Sequence, residues 1–393
     1  MDTGTRKINI VDFRALTTLG ILALILVGFY VAVYFNQQNE GLDPHLFFAP
    51  ENLGNMVGQT AIVGVLACGM TFVIVSGHID LSVGSLLGML AAIGATLTSH
   101  KFSFEWNPIV ACGCVIIIGA LLGALHGVLI TKAGIPAFVV TLGGLMAYRG
   151  GLLEMAGETI PISESVVTGL GTGLLSPTTA WILGGIGLLA FAFLSISKIQ
   201  SSRKAGLPVA PAWQLIAMLV ITTGIVLGFI AWISQGRGLP IRFIAMIGLA
   251  IVIGILATKF RFGRHVYAIG GNVEAARFSG IRVALHTIIV FAIMGAIAGI
   301  AGIIQSGEQM AASADAGDLM ELYAIAACVI GGTSLKGGRG TIFGSILGAM
   351  IMASIRNGLS CLGVSSSWEK IILGIVLVAA VGFDLLLSGK KNK

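Results

Sequence analysis

The chain has 393 residues, of which 56% are hydrophobic and only 10% charged, with a net charge of +6 and a mean hydropathy of +0.98. An ordinary soluble domain carries about 25% charged residues, and this chain lacks the polar side chains to cover a water-facing surface of its size. Composition therefore excludes a soluble enzyme, a disordered chain and a nucleic-acid binder, and the basic excess is read as a membrane charge pattern.

Crossing the hydrocarbon layer takes about 20 apolar residues per helix. Twelve stretches are candidates, at 17–35, 55–75, 81–97, 109–130, 135–151, 180–197, 213–233, 241–258, 287–304, 321–335, 341–355 and 370–387. They predict an all-α, polytopic helical membrane protein with about 10–12 transmembrane helices, some short or broken. The stretches at 135–151, 321–335 and 341–355 read as half-helices or re-entrant segments, which survive only where protein or a cavity surrounds them. The apolar runs are continuous and do not alternate, which excludes a β-barrel. Arg6, Lys7 and Arg14 flank the first run, but that run is long enough to span and no small-residue cleavage site follows, so it reads as an uncleaved anchor. The expected organisation is a cytoplasmic segment 1–16, one transmembrane domain 17–389, and a basic cytoplasmic tail 390–393.

Charge placement sets the orientation. With the N-terminus in the cytoplasm and sides alternating, most of the 23 Lys and Arg residues fall inside, among them Lys132, Lys198, Arg203, Lys204, Lys259, Arg261, Arg264, Arg277, Arg282, Lys336 and Arg339. Lys101, Arg149, Arg237, Arg242, Arg356 and Lys370 fall outside. This follows the positive-inside rule with both termini cytoplasmic in a multi-pass protein. Segments 36–54, 152–179 and 305–320 then form an acidic outer rim, and 259–286 is the longest cytoplasmic loop.

Several local patterns carry more detail. Ser76-Gly77-His78-Ile79-Asp80-Leu81-Ser82-Val83-Gly84-Ser85 joins two spans with almost no room for a water-exposed loop. Asp80 therefore needs partners or water, and reads either as a cap of the following helix or as a substrate contact. Glycines four apart (Gly84 and Gly88; Gly119, Gly123 and Gly127; Gly340, Gly344 and Gly348) place small residues on one helix face for close packing. His126 reads as a packed, hydrogen-bonded histidine, and the five cysteines as small packing residues. Shifting the sequence by 260 aligns 61–88 with 321–348 and matches Ala67/Ala327, Cys68/Cys328, Gly77/Gly337, Gly84/Gly344, Ser85/Ser345, Leu87/Leu347 and Gly88/Gly348. A parallel duplication and shared small-residue composition both account for this match.

In the 259–286 loop, Gly270, Gly271 and Asn272 read as turn and cap residues before a short helix from Val273 to Ser279, stopped by Gly280. Glu274 sits in its first turn, where the helix dipole favours a carboxylate. Phe278 and Ile281 give it an apolar end, suited either to docking on a cytoplasmic partner or to an ordinary surface helix.

The Glu274-Ala275-Ala276-x₃-Gly280 pattern resembles the coupling segment of ABC-importer permeases. The longer string Gly263-Arg264-x₃-Ala268-Ile269-Gly270-x-Asn272-x₂-Ala275-Ala276-x₂-Ser279-Gly280-Ile281 resembles its form in permeases for ribose, galactose and xylose. Ile79 to Ser85, Ala326 to Leu335, and Gly337-Gly338-x-Gly340-Thr341 are similar to that family too. An extra stretch near 176–240, with one more hydrophobic hairpin, resembles the D-xylose branch.

The resemblance implies a non-enzymatic subunit moving a monosaccharide, D-xylose before ribose or galactose, by alternating access. It implies a permease homodimer, a separate ABC ATPase that binds ATP and Mg, and a periplasmic sugar-binding protein. This chain has no P-loop and no cofactor of its own. The coupling residues it implies are Gly263, Arg264, Gly270, Asn272, Glu274, Ala275, Ala276, Ser279 and Gly280. An uncharged sugar is recognised by hydrogen-bonding groups and aromatic faces, so the path candidates are Asp80, Ser82, Ser85, Phe138, Thr141, Thr333, Ser334 and Asn357. A secondary transporter of the major-facilitator type fits less well, because the repeat offset is not near half the chain and intramembrane carboxylates are few. An intramembrane enzyme lacks any motif such as HExxH.

Overall fold

Every one of the twelve apolar stretches folds as a helix in the computed structural model, which describes residues 13–39, 41, 43–99, 105–163, 165–206 and 211–389. Most of the 1–16 segment, Lys101 and the 390–393 tail lie outside the described residues. In chain order the helices are α1 (Phe13–Asn39), α2 (Pro50–Val75), α3 (Val83–Thr98), α4 (Pro108–Thr131), α5 (Ala137–Ala156), α6 (Ser165–Thr172), α7 (Pro177–Lys204), α8 (Ala212–Ile233), α9 (Ile241–Thr258), α10 (Arg261–Gly271), α11 (Val273–Phe278), α12 (Val283–Gln309), α13 (Met320–Ile330), α14 (Ile342–Cys361) and α15 (Ser366–Gly389). Caps define several starts. Asn107 accepts a hydrogen bond from the Ile109 amide ahead of Pro108, and Thr341 Oγ1 accepts one from the Gly344 amide.

Among the described residues, eight helices are long and apolar enough to cross a membrane. The sequence placed its short elements only partly correctly. α5 and α14 are 20 residues each, whereas α13 has 11 and α3 has 16. At about 1.5 Å per residue, α3 and α13 fall short of a hydrocarbon layer about 30 Å thick. Both are largely buried in protein, the setting in which broken spans are tolerated.

The core is built around α2, whose apolar window is 94% buried, inside a surround of α9, α12, α13 and α14. Glycine stripes explain the closeness. Gly119, Gly123 and Gly127 of α4 press on the backbone of Gly295, Phe291 and Ile288 in α12. Gly84 and Gly88 press on the carbonyls of Gly317 and Ala316, and Gly344 and Gly348 on those of Gly331 and Ala327. Any Cβ at these sites would overlap main chain that cannot swing aside, so the small-residue stripes are packing surfaces as expected. Cys68 and Cys328 are buried free thiols in the same core.

Two short antiparallel pairs tie one end of the bundle: β1 (Ile160–Pro161) with β4 (Ala311–Ala312), and β2 (Leu174–Leu175) with β3 (Leu239–Pro240). The α7–α8 hairpin enters and leaves through the second pair. It touches the rest through Ala180, Ile230 and Ile233, packed with Val57 and Leu239, and through the Trp232 indole, which donates to the Phe48 carbonyl at 2.8 Å. The expected extra hairpin is present, and it is peripheral.

The stretches related by the 260 shift share an architecture: helix, break, helix. α3 begins at Val83 and α14 at Ile342, within one residue of the equivalent position. The breaks differ in length: the turn that closes α2 at Gly77, whose amide donates to the Ile74 carbonyl, recurs at Gly332, whose amide donates to the Val329 carbonyl, five residues ahead of the position the shift assigns. Gly77 has φ +86° and Gly332 φ +89°, left-handed values that a side chain disfavours.

Candidate functional site

At the end opposite the strand pairs, α10 packs beneath both helix breaks, and α11 follows it against α12. Gly263 lies flush on the carbonyls of Leu256 and Ala257, which folds α10 back onto α9. Arg264 is exposed, and its Nη1 donates to the Lys259 carbonyl at 3.1 Å. Gly270 faces the Val75 carbonyl and the Gly338 amide with no space for a Cβ. The sequence made Gly270 and Gly271 turn residues. In the structure they complete the last turn of α10, and Asn272 alone turns the chain. Gly270 is needed there for fit, since a larger residue would push α10 off Val75.

Asn272 caps α11 by accepting from the Ala275 amide at 2.9 Å. Glu274 and Arg277 form an exposed pair at 3.2 Å, Ala276 packs inward, and Ser279 Oγ donates to the Ala275 carbonyl at 2.9 Å. Gly280, with φ +79°, ends the element. Phe278 stands out from it, 88% exposed. The short capped helix with a projecting apolar end is therefore formed as its residues suggested.

α10 is held to its neighbours by side chains the sequence did not single out. The Tyr267 hydroxyl donates to the Gly340 carbonyl at 2.8 Å, and burial pushes its phenol pKa up, which keeps it a neutral donor. His265 Nδ1 lies 3.0 Å from His286 Nε2, and His286 stacks on Phe262. The Gly338 amide donates to the Val75 carbonyl at 2.9 Å, so the two breaks also touch each other.

The path candidates separate into different places. Asp80, Ser82, Ser85 and Thr141 are buried together near the first break. Asp80 Oδ1 accepts from the Ser82 amide at 2.9 Å and from its hydroxyl at 2.6 Å, so Asp80 braces the turn while Ser82 holds the cap position of α3. Thr141 Oγ1 lies 3.4 Å from the Ile79 carbonyl. Thr333 is buried 3.4 Å from Ser345 Oγ, whereas Ser334 lies in the second break, accepting from the Lys336 amide. Asn357 exchanges hydrogen bonds with Asn52 at 2.8 Å near the far end. Phe138 faces outward among other exposed apolar side chains.

Among the buried polar residues that sequence reasoning passed over are Thr71, Gln305 and Glu321. Glu321 stands at the first position of an expected span, where a carboxylate reads as a boundary. His126 is buried as expected, with Nε2 2.8 Å from the Tyr148 hydroxyl. On the rim, Arg242 meets Glu308 at 2.8 Å, and Asp318 is met by Lys370 at 3.0 Å and by Arg149. The acidic rim is thus partly neutralised by its own basic residues.

A bundle of long apolar helices, with two helix breaks resting on a short helix at one end, is that of a multi-pass membrane permease. Residues 52–381 match the family described as "Branched-chain amino acid transport system / permease component", and the chain belongs to that family. It is 37% identical over 375 residues to the xylose transport system permease protein XylH of Escherichia coli K12, covering 95% of this chain and 94% of that one. It is 38% identical over 387 residues to the XylH protein of Haemophilus influenzae, covering 98% and 99%. The ribose import permease protein RbsC of Escherichia coli K12 is 34% identical over 345 residues, covering 86% and 87%. No solved structure matches.

Proposed function

We propose that this chain is the membrane-spanning subunit of an ATP-driven importer that moves a monosaccharide, D-xylose first, into the cytoplasm of a bacterium across its inner membrane. The observation that carries the substrate is likeness over nearly the whole chain to permeases named for xylose, against a smaller share for one named for ribose. The permeases named for xylose are matched almost end to end, so the α7–α8 hairpin falls within the shared length.

In this reading two copies of the chain pair with two ATPase subunits, which bind ATP and Mg, and with one sugar-binding protein on the opposite side. Both termini are cytoplasmic. α11 seats in the ATPase, with Phe278 as its apolar anchor and Glu274 as its charged contact. Gly263 and Gly270 let α10 lie close to α9 and the breaks, and Tyr267 links it to the second break. Closure of the ATPases then moves α10 and both breaks as one body, and the helices they join re-orient to open a path to the other side. Asp80, Ser82, Ser85 and Thr141 are the path residues with the strongest support, because they are buried beside a break.

Reconstituted complex in vesicles, with its ATPase and binding protein, tests this directly. Labelled D-xylose should accumulate with ATP faster than ribose or galactose. Uptake no greater than without ATP refutes the importer, and a faster ribose or galactose refutes the substrate order. Single cysteines at 259–286 should label from the cytoplasmic side and those at 36–54 from outside; the reverse pattern overturns the orientation.

A further inference from the structure

Polar side chains from several elements converge where α3 and α13 begin. The place of a Cβ on Gly84 is taken by the Glu321 carboxylate and the Gly317 carbonyl. The place of a Cβ on Gly144 is bounded by the His126 ring and Ser82. His126 meets Tyr148, and Ser82 meets Asp80. All are buried; Glu321 is only 7% exposed. Two atoms in this junction have no hydrogen-bond partner, Glu321 Oε2 and His126 Nδ1. Buried polar atoms in folded proteins are nearly always satisfied; the orphan on Glu321 lies against the first turn of α3, whose first amides also lack intrahelical acceptors, and the His126 ring that carries the other lies beside Ser82, the cap residue of the same helix.

The chemistry selects its class. Asp80 and Glu321 would repel an anion, including the carboxylate of an amino acid. Among the described residues no group of three His, Cys, Asp or Glu could hold a metal ion. An uncharged polyol, by contrast, offers hydroxyl donors to a carboxylate and hydroxyl oxygens to amides and imidazole. Resting on the proposed sugar import, we infer that this junction is the midway binding site for the sugar. Glu321 Oε2 accepts from one sugar hydroxyl, His126 Nδ1 pairs with another, and the first amides of α3 donate to a sugar oxygen. In the present structure the junction is closed, since Gly84 and Gly88 rest on the 316–317 main chain. Sugar enters when α3 parts from that segment.

The test is Glu321→Gln in the reconstituted complex, with uptake of D-xylose, ribose and arabinose measured beside ATP hydrolysis. Uptake should fall at least tenfold, further than hydrolysis does, and the ranking of the sugars should change, because they differ in the hydroxyls a carboxylate would read. Unchanged uptake, or an equal fall for all three sugars, overturns the inference. If this variant does not assemble, His126→Gln is read by the same two measures. If neither assembles, the junction is structural and the inference fails. A wild-type complex that carries no sugar at all refutes the importer reading itself, and the inference with it.

Discussion

α2 and α7 are apolar helices of similar length, 26 and 28 residues, and both qualify as membrane spans. Yet 94% of the apolar window of α2 is buried inside the protein and only 6% of that of α7. Their glycines tell the same story. Gly58, Gly64 and Gly69 of α2 are crowded by side chains from α9, α12 and α14, whereas on α7 only Gly184 is crowded, by Ile230 of its own hairpin, and Gly185 and Gly187 have open space around them. In a bilayer, hydropathy reports what can enter the membrane, and small residues in contact report what packs. The α2 region is the working core. The α7–α8 hairpin is an attachment whose apolar surface stays exposed.

Four experiments can break this contrast or sharpen it. The largest effect is expected from overpacking the core. Gly123→Leu would drive a side chain into the Phe291 carbonyl and should destabilise by about 3 kcal/mol, whereas Gly187→Leu on α7 should stay within about 0.5 kcal/mol. Thermal unfolding of the purified protein reads both, and equal losses would erase the distinction. Next, Glu274→Lys should leave insertion intact and weaken ATPase association at least tenfold, about 1.4 kcal/mol, as read by co-purification. Normal assembly and coupled transport would remove α11 from the coupling role. Tyr267→Phe deletes one buried hydrogen bond, worth about 1 kcal/mol. Sugar moved per ATP should fall about fivefold, and an unaltered ratio would show that the Gly340 contact transmits nothing. Smallest of all, replacing 176–238 by a two-residue Asn-Gly turn between the paired Leu175 and Leu239 should preserve the core and keep uptake within about threefold. Loss of folding would make the hairpin part of the core.

The sequence made most of the fold legible, because spanning helices need long apolar runs and this chain has little else. All twelve runs became helices, and α11 formed between Asn272 and Gly280 as its cap and stop residues required. The lengths of broken helices were less legible. α13 ends at Ile330, short of the expected boundary at 335, since Gly331 and Gly332 admit close packing and a tight turn that hydropathy does not register. The candidate site was half legible. Local patterns exposed the capped helix α11, because its cap, helix and stop residues lie within one short stretch. Glu321 and Tyr148 meet partners far away in sequence, and no local signal pairs Glu321 with Gly84 or Tyr148 with His126.

Gly337 rests against the Cα of Gly77, and its other close neighbour is the main chain of Gly270 in α10. Three segments far apart in sequence thus meet main chain to main chain, with no side chain between them to yield by changing rotamer. Such a joint is stiff. A displacement of α10 has no local cushion, so it either carries the neighbouring segments with it or opens the contact. A single methyl group at Gly270, which would fall on the Val75 carbonyl, would act as a spacer and hold the three apart.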